Sequence, residues 1–275
     1  MSTESKHSLV VEGIGPVEVT ISDGGSGHPF LILHGGAGPQ SVAGFANLLT
    51  TTRNARVIAP THPGFGATPR PDSLDSIAGL ARVYVALLDT LDLENVTVVG
   101  NSIGGWIAAE IALLGSPRVG SMILVDAAGI EVAGHPVVDF FSLNLDEVAQ
   151  LSYHDPDRFR IDPTTMSDVQ RALFAGNRAA LAIYGGGAMG DASLRDRLAA
   201  IAVPTLVVWG DSDQMFDPDY GRAYAAAIPG ATFVLLTDTG HVPQIETPEQ
   251  LLAPVWDFAD AHARVGDDGA LGLNR

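Results

Sequence analysis

Three side chains in this sequence, Ser102, Asp213 and His241, are of the types that together drive a hydroxyl onto a carbonyl carbon. A serine hydroxyl is a poor nucleophile until a base takes its proton, and the base works best when a carboxylate holds its other ring nitrogen. Ser102 lies in Gly100-Asn101-Ser102-Ile103-Gly104, directly after the β-branched run Val96-Thr97-Val98-Val99. That run reads as a buried strand, and Ser102 to Ala112 reads as a helix with small residues at its start. A serine between strand and helix takes a strained backbone conformation, and Gly100 and Gly104 give room that a side chain would deny. The pattern is a nucleophile elbow, G-x-S-x-G, which lifts the serine Oγ above the sheet.

The elements that must bring the partners to Ser102 come later in the chain. His241 follows Ala231-Thr232-Phe233-Val234-Leu235-Leu236, a predicted strand, and so sits in a loop at a strand's C-terminal end, where open α/β sheets carry their chemistry. Asp213 follows the strand-like run Pro204-Thr205-Leu206-Val207-Val208 through Trp209-Gly210-Asp211-Ser212. Asp211, two residues earlier, and Asp126, at the end of Ser121-Met122-Ile123-Leu124-Val125, are the other candidates for the acid.

With Ser102, Asp213 and His241 in that chain order, the sequence resembles the α/β-hydrolase-fold serine hydrolases. Gly210-Asp211-Ser212-Asp213 matches the family's acid turn. Gly240-His241, with Glu246 and Pro248, matches its histidine loop. The match covers about 28–130 and 200–260 and is poor across 131–200; Pro218 also falls one residue later than the family spacing. The resemblance implies an α/β fold with a mostly parallel eight-stranded sheet, helices on both faces and a helical cap inserted after the sixth strand. It assigns 1–128 and 201–264 to the core and 129–200 to the cap, with 265–275 as a disordered tail. From the loop His34-Gly35-Gly36-Ala37-Gly38-Pro39 it implies an oxyanion hole of the Gly36 N–H and the Ile103 N–H. Such donors are worth roughly 2.7–4 kcal/mol each. His34 and His62 read as structural loop residues.

Within that frame, Ser8–Glu12 and Pro16–Ile21 predict an opening antiparallel pair, with Asp23-Gly24-Gly25 as a turn. Short helices are expected at Asn144–Leu151, Met166–Ala175 and Arg178–Ile183, and a last helix near Pro248–Ala263. A serine at the elbow excludes the carboxylate-nucleophile chemistry of epoxide and haloalkane relatives. Cyanohydrin cleavage needs a lysine near the base, and Lys6, the only lysine, is expected in an N-terminal tail.

Two hydrolytic readings remain, and the first is preferred: a carboxylesterase for small or medium, largely apolar acyl groups, or a meta-cleavage C–C hydrolase cutting vinylogous diketones. The loop His34-Gly35-Gly36 and Asn101 resemble the second group, whose tryptophan after the histidine is replaced here by Val242. Gly35, Asn101, Phe140, Phe141, Arg178, Tyr184 and Val242 are the candidate substrate contacts. Arg171 is the other arginine considered, Trp106 is expected in the core, and Met215 and Phe216 fit either core or site. A non-catalytic small-ligand receptor on the same fold is the third reading.

Composition narrows the rest. The 275 residues carry 46% hydrophobic and 17% charged residues, enough for one large core. No cysteine is present, so disulfides, thiolate nucleophiles and Cys-metal sites are excluded. A formal net charge of −17 disfavours nucleic acid and anionic membranes as partners. Phosphate-loop, dinucleotide and H-E-x-x-H motifs do not occur, so neither cofactor nor metal is expected. No apolar run follows Met1–His7, which predicts a cytoplasmic protein. Monomer and homodimer both stay open.

Overall fold

Uninterrupted apolar runs place the central strands. The computed structural model, which describes residues 2–263, holds eight strands. They are β1 (Thr3–Val11), β2 (Gly15–Gly25), β3 (His28–Leu33), β4 (Ala55–Thr61), β5 (Val96–Asn101), β6 (Val119–Val125), β7 (Thr205–Gly210) and β8 (Thr232–Leu236). They form one sheet in the order β1-β2-β4-β3-β5-β6-β7-β8. The β1–β2 and β2–β4 pairs are antiparallel and the rest parallel. Every residue of β5 and β7 is buried, as strands covered on both faces require.

Ten helices accompany the sheet among the described residues: α1 (Gln40–Thr52), α2 (Ile77–Thr90), α3 (Ile103–Leu113), α4 (Leu145–Ser152), α5 (Pro156–Phe159), α6 (Asp168–Gly185), α7 (Leu194–Arg197), α8 (Pro218–Ala227), α9 (Pro243–Glu246) and α10 (Pro248–His262). Ile77, Leu80 and Tyr84 of α2, Ile107 of α3, and Tyr220 and Tyr224 of α8 share one core cluster. Phe45 and Leu49 of α1 pack with Leu251 and Val255 of α10 in another. The sheet is therefore covered on both faces, which is the expected α/β-hydrolase fold. Between β6 and β7 the chain makes α4 to α7. The end of this segment is tied to α3: Arg197 donates to both carboxylate oxygens of Glu110 at 2.8 and 2.7 Å, and to Asp191 at 2.7 Å.

Three local expectations are corrected. Asp23-Gly24-Gly25 is strand, not turn; the hairpin bends at Glu12-Gly13-Ile14, where Ile14 N donates to Val11 O at 3.0 Å. The β2 strand runs on because Asp23 takes a bidentate pair from Arg56 of β4 at 3.1 and 2.7 Å. Gly25 is there for close approach, since a Cβ would stand 2.2 Å from Ala55 O. Lys6 belongs to β1, paired with Glu18 at 2.9 Å, rather than to a tail. The two helices expected at 166–175 and 178–183 are one, α6. Gly176 weakens a helix locally. Here the flanking Asn177 accepts from Gly66 N at 2.8 Å, and Arg178 grips the carbonyls of Phe140, Phe141 and Leu143, so tertiary contacts carry the helix through. The expected tail at 265–275 lies outside the described residues. Among the described residues no helix is long and apolar enough to cross a membrane.

Candidate active site

Ser102 joins β5 to α3 with φ 56° and ψ −121°, a conformation L-residues rarely adopt. The turn is locked from several sides. Ser102 N donates to Val125 O at 3.1 Å, and Ser102 O receives Gly105 N, Trp106 N and Ala128 N. A Cβ on Gly104 would stand 2.2 Å from Leu33 O, and one on Gly100 2.0 Å from Gly104 O, so the elbow needs both glycines.

His241 and Asp213 meet: His241 Nδ1 lies 2.9 Å from Asp213 Oδ2. The other carboxylate oxygen of Asp213 accepts from Met215 N at 2.8 Å and Phe216 N at 3.1 Å. These three donor contacts make Asp213 the acceptor that holds the imidazole N–H in place. The His241 backbone is also fixed, its N–H donating to Ser152 O at 2.7 Å. The loop is braced by Glu246, which accepts from Gly240 N at 2.7 Å and Asp155 N at 2.9 Å. Asp211 points elsewhere, accepting from Thr239 N and Ser212 Oγ. Asp126 is wholly buried and accepts from Gly210 N at 2.9 Å.

Beneath the His34-Gly35-Gly36 loop lies a neutral chain. His34 Nε2 accepts from His62 N at 3.1 Å, so its proton is on Nδ1, which donates to Gly35 O at 2.7 Å. His62 Nε2 donates to His34 O at 2.9 Å and its Nδ1 pairs with the Tyr84 hydroxyl. Burial pushes His34 down to about 4 and His62 well below the usual range, the neighbouring His34 adding to the second shift. Gly35 O and Gly36 N belong to one trans peptide and point opposite ways. Holding the oxygen on His34 thus turns the Gly36 N–H away from it.

Ser102, His241, Gly36, Asn101, Phe140, Arg178 and Val242 line one cavity of about 140 Å3. Met215 and Phe216 also reach it. Three expected substrate contacts are corrected. Tyr184 donates to Pro63 O at 2.8 Å and stacks on Phe65, inside the core. Gly35 is packed behind Ser102, with a Cβ there only 3.0 Å from the Ser102 Cβ. Phe141 is edge-on to Phe140 and outside the cavity lining. Two others line the cavity while hydrogen-bonding elsewhere. Asn101 Nδ2 donates to His241 O at 2.9 Å and Val125 O at 3.2 Å, while its Oδ1 accepts from Gln244 at 3.0 Å. Arg178 spends Nη2 on three carbonyls between the rings of Phe140 and Phe141. Trp106 lies in the core, and Arg171 is an exposed helix residue paired with Asp168.

The rest of the wall escaped sequence reading. Leu145, Val148, Ala149 and Ser152 form one stripe of α4, and Phe174 and Leu181 flank the expected Arg178 on one stripe of α6. Both have helical spacing, so the signal was present, but such a stripe does not say whether it faces core or cavity. Among the described residues, two groups of side chains have metal-ligand donor sets: Asp126, Asp213 and His241, and His135, Asp217 and Asp219. In the first, Asp213 and His241 are already bonded to each other; in the second, His135 and Asp217 are, at 2.7 Å.

This fold and this elbow define a class of protein. The family model described as alpha/beta hydrolase fold matches residues 28–248, and the chain belongs to that family. It is 27% identical to the 2-hydroxy-6-oxo-6-(2'-aminophenyl)hexa-2,4-dienoic acid hydrolase of Metapseudomonas resinovorans, over 94% of this chain and 92% of the relative. It is 29% identical to Lipase 1 of Psychrobacter immobilis, over 82% of this chain and 74% of the relative. Among solved structures, a thermophilic esterase from Thermogutta terrifontis superposes with a TM-score of 0.74 at 23% identity, covering 94% of this chain and 99% of that one.

Proposed function

We propose that this protein is a serine hydrolase that cleaves carboxylic esters with a small or medium, largely apolar acyl group. His241 takes the Ser102 proton, Asp213 holds the imidazole, and the ester carbonyl receives Oγ. The tetrahedral oxyanion rests on the Gly36 and Ile103 N–H groups. The imidazolium protonates the leaving alkoxide, and water then releases the acyl group by the same route. Residues 129–200 act as a cap that sets acyl choice.

The observation that carries this reading is the chemistry of the cavity wall. Apart from Ser102 and His241, it is chiefly aliphatic and aromatic, and the amide of Asn101 is used by two backbone carbonyls and the Gln244 side chain. Apolar cavities of about 150 Å3 take a benzene-sized guest, which suits a short acyl chain or an aryl group. Initial rates on p-nitrophenyl esters of rising acyl length, wild type beside Ser102→Ala, test it. Turnover that peaks at one chain length and vanishes in Ser102→Ala supports the reading; turnover that survives Ser102→Ala refutes it.

A C–C hydrolase is the second reading. Arg160 and Arg178 reach the cavity, and guanidinium groups suit the carboxylate of a dienoate substrate. The 27% identical dienoic acid hydrolase favours it too. Ser102-dependent cleavage of a meta-cleavage dienoate without ester turnover would establish it. Ligand-induced stabilisation with neither activity would favour a receptor.

A further inference from the structure

Asp126 is a buried carboxyl that the proposed reaction leaves without a task. It ends β6 with φ +45°, and none of its surface is exposed. Its Oδ1 accepts from Gly210 N at 2.9 Å, and its N–H donates to Val208 O at 3.0 Å. Its Oδ2 is buried and receives no donor among the described residues. An Asp126 oxygen, an Asp213 oxygen and a His241 ring nitrogen all fall within 4.8 Å of one another.

Two ionised carboxylates cannot sit side by side in a dry site without a cation. The ionised partner must be Asp213, because two backbone N–H groups and the His241 ring donate to it. Asp126 has one donor, on one oxygen. Its other oxygen is the atom that would carry a proton, and a protonated carboxyl turns an orphan acceptor into a donor.

We propose that Asp126 is a positioning residue, kept as the neutral acid, whose Oδ2–H donates to the Asp213 carboxylate. The pair would then be one acid and one carboxylate sharing one negative charge behind His241. Burial, and next the charge of Asp213, hold the Asp126 carboxyl far above the usual carboxylate range. The charged and titratable groups that act on it are Asp213 after β7, His241 after β8 and, farther off, Glu246 of α9. The proton tempers the basicity of Asp213 and so limits how strongly it stabilises the His241 imidazolium.

The test compares Asp126→Asn and Asp126→Ala with wild type, by infrared spectroscopy at neutral pH and by kcat/KM against pH on a p-nitrophenyl ester. Asparagine tolerates positive φ, and its amide both accepts from Gly210 N and donates to Asp213. Asp126→Asn should retain activity within about threefold and lose a protonated-carboxyl stretch that wild type shows. Asp126→Ala should lower kcat about tenfold at unchanged KM and move the acidic limb of the profile to higher pH. Absence of that stretch from wild type overturns the proposal, as does a loss of 10³-fold or more in Asp126→Asn, which would make Asp126 the ionised acid. A folded Asp126→Ala with wild-type rate and profile overturns it too. The proposal rests on the Ser102 reading. The infrared signal does not depend on turnover, so failure of that reading is distinguishable from failure of this one.

Discussion

Nδ2 of Asn101 donates to the main-chain oxygen of His241 at 2.9 Å, so the residue before Ser102 holds the backbone of the proposed base. The same amide reaches Val125 O, and its oxygen takes a bond from Gln244. Serine, base and the end of β6 are thus stitched through one side chain. Asn101→Ala strands these groups in a buried setting and should cost about 1–3 kcal/mol of stability. Misplacing His241 should lower kcat by about ten- to a hundredfold. KM should barely move; a large rise in KM with kcat preserved would mean the amide contacts substrate instead.

The two aspartates of the acid turn separate cleanly. Asp213→Asn removes the acceptor that fixes the His241 tautomer and should lower kcat by about 10³–10⁴-fold. Asp211→Asn keeps an acceptor for Thr239 N and should stay within about twofold, as surface substitutions do. Rates of the two variants on one ester check the ranking, and the reverse order would move the acid.

Acid should destabilise the fold through its buried imidazoles. His34 and His62 are held neutral by burial, and His28 is lowered for the same reason. In the unfolded chain all three take protons near pH 6.5. Above that pH neither state binds the proton, so there is no effect. Below it the unfolded state gains protons that the folded state refuses, costing about 1.4 kcal/mol per pH unit for each of the fully buried His34 and His62, while the half-buried His28 acts in the same direction. For His34 this continues to about pH 4. Thermal unfolding followed from pH 8 to 5 should be flat above about pH 7 and fall steeply below about 6.5; a flat curve throughout would contradict the neutral assignment.

Gly104→Ala should fail for a backbone reason. Its Cβ would meet Leu33 O at 2.2 Å, and neither strand nor helix can yield. The expected cost is about 3 kcal/mol or more. Gly36→Ala meets only the tip of Leu181, at 2.9 Å, and should fold normally. Paired melting curves decide this, and equal stability would show the elbow to be more pliant than drawn.

Arg178 supplies a test between ester and dienoate substrates. If its three carbonyl contacts are its whole purpose, Arg178→Met loosens the 140–143 segment and raises KM for neutral and anionic esters alike. A rise about tenfold larger for anionic esters would assign it a substrate carboxylate.

Much of this site was legible because its constraints are local. Ser102 needs glycines two residues away on either side, and each partner follows an apolar run that reads as a strand. The opening hairpin was legible, but the continuation of β2 through Asp23-Gly24-Gly25 was not, because those residues have turn composition. Their use is the contact with Arg56 and Ala55, thirty residues on. Tyr184 was read as a substrate contact from its neighbourhood, but where a side chain spends its hydrogen bonds is a tertiary fact. The stripes of α4 and α6 have a period and no label saying what they face. Asp126 was visible as an alternative acid; its placement beside Asp213 was not.

The chain His34–His62–Tyr84 has a consequence for salt tolerance. The chain carries a formal net charge of −17, and the self-repulsion of its surface charges fades as electrolyte is added. The loop bearing Gly36 is braced by neutral, fully buried hydrogen bonds, on which dissolved ions have little purchase. Brine therefore acts on the coat of this molecule and leaves the brace beneath its pocket as it was.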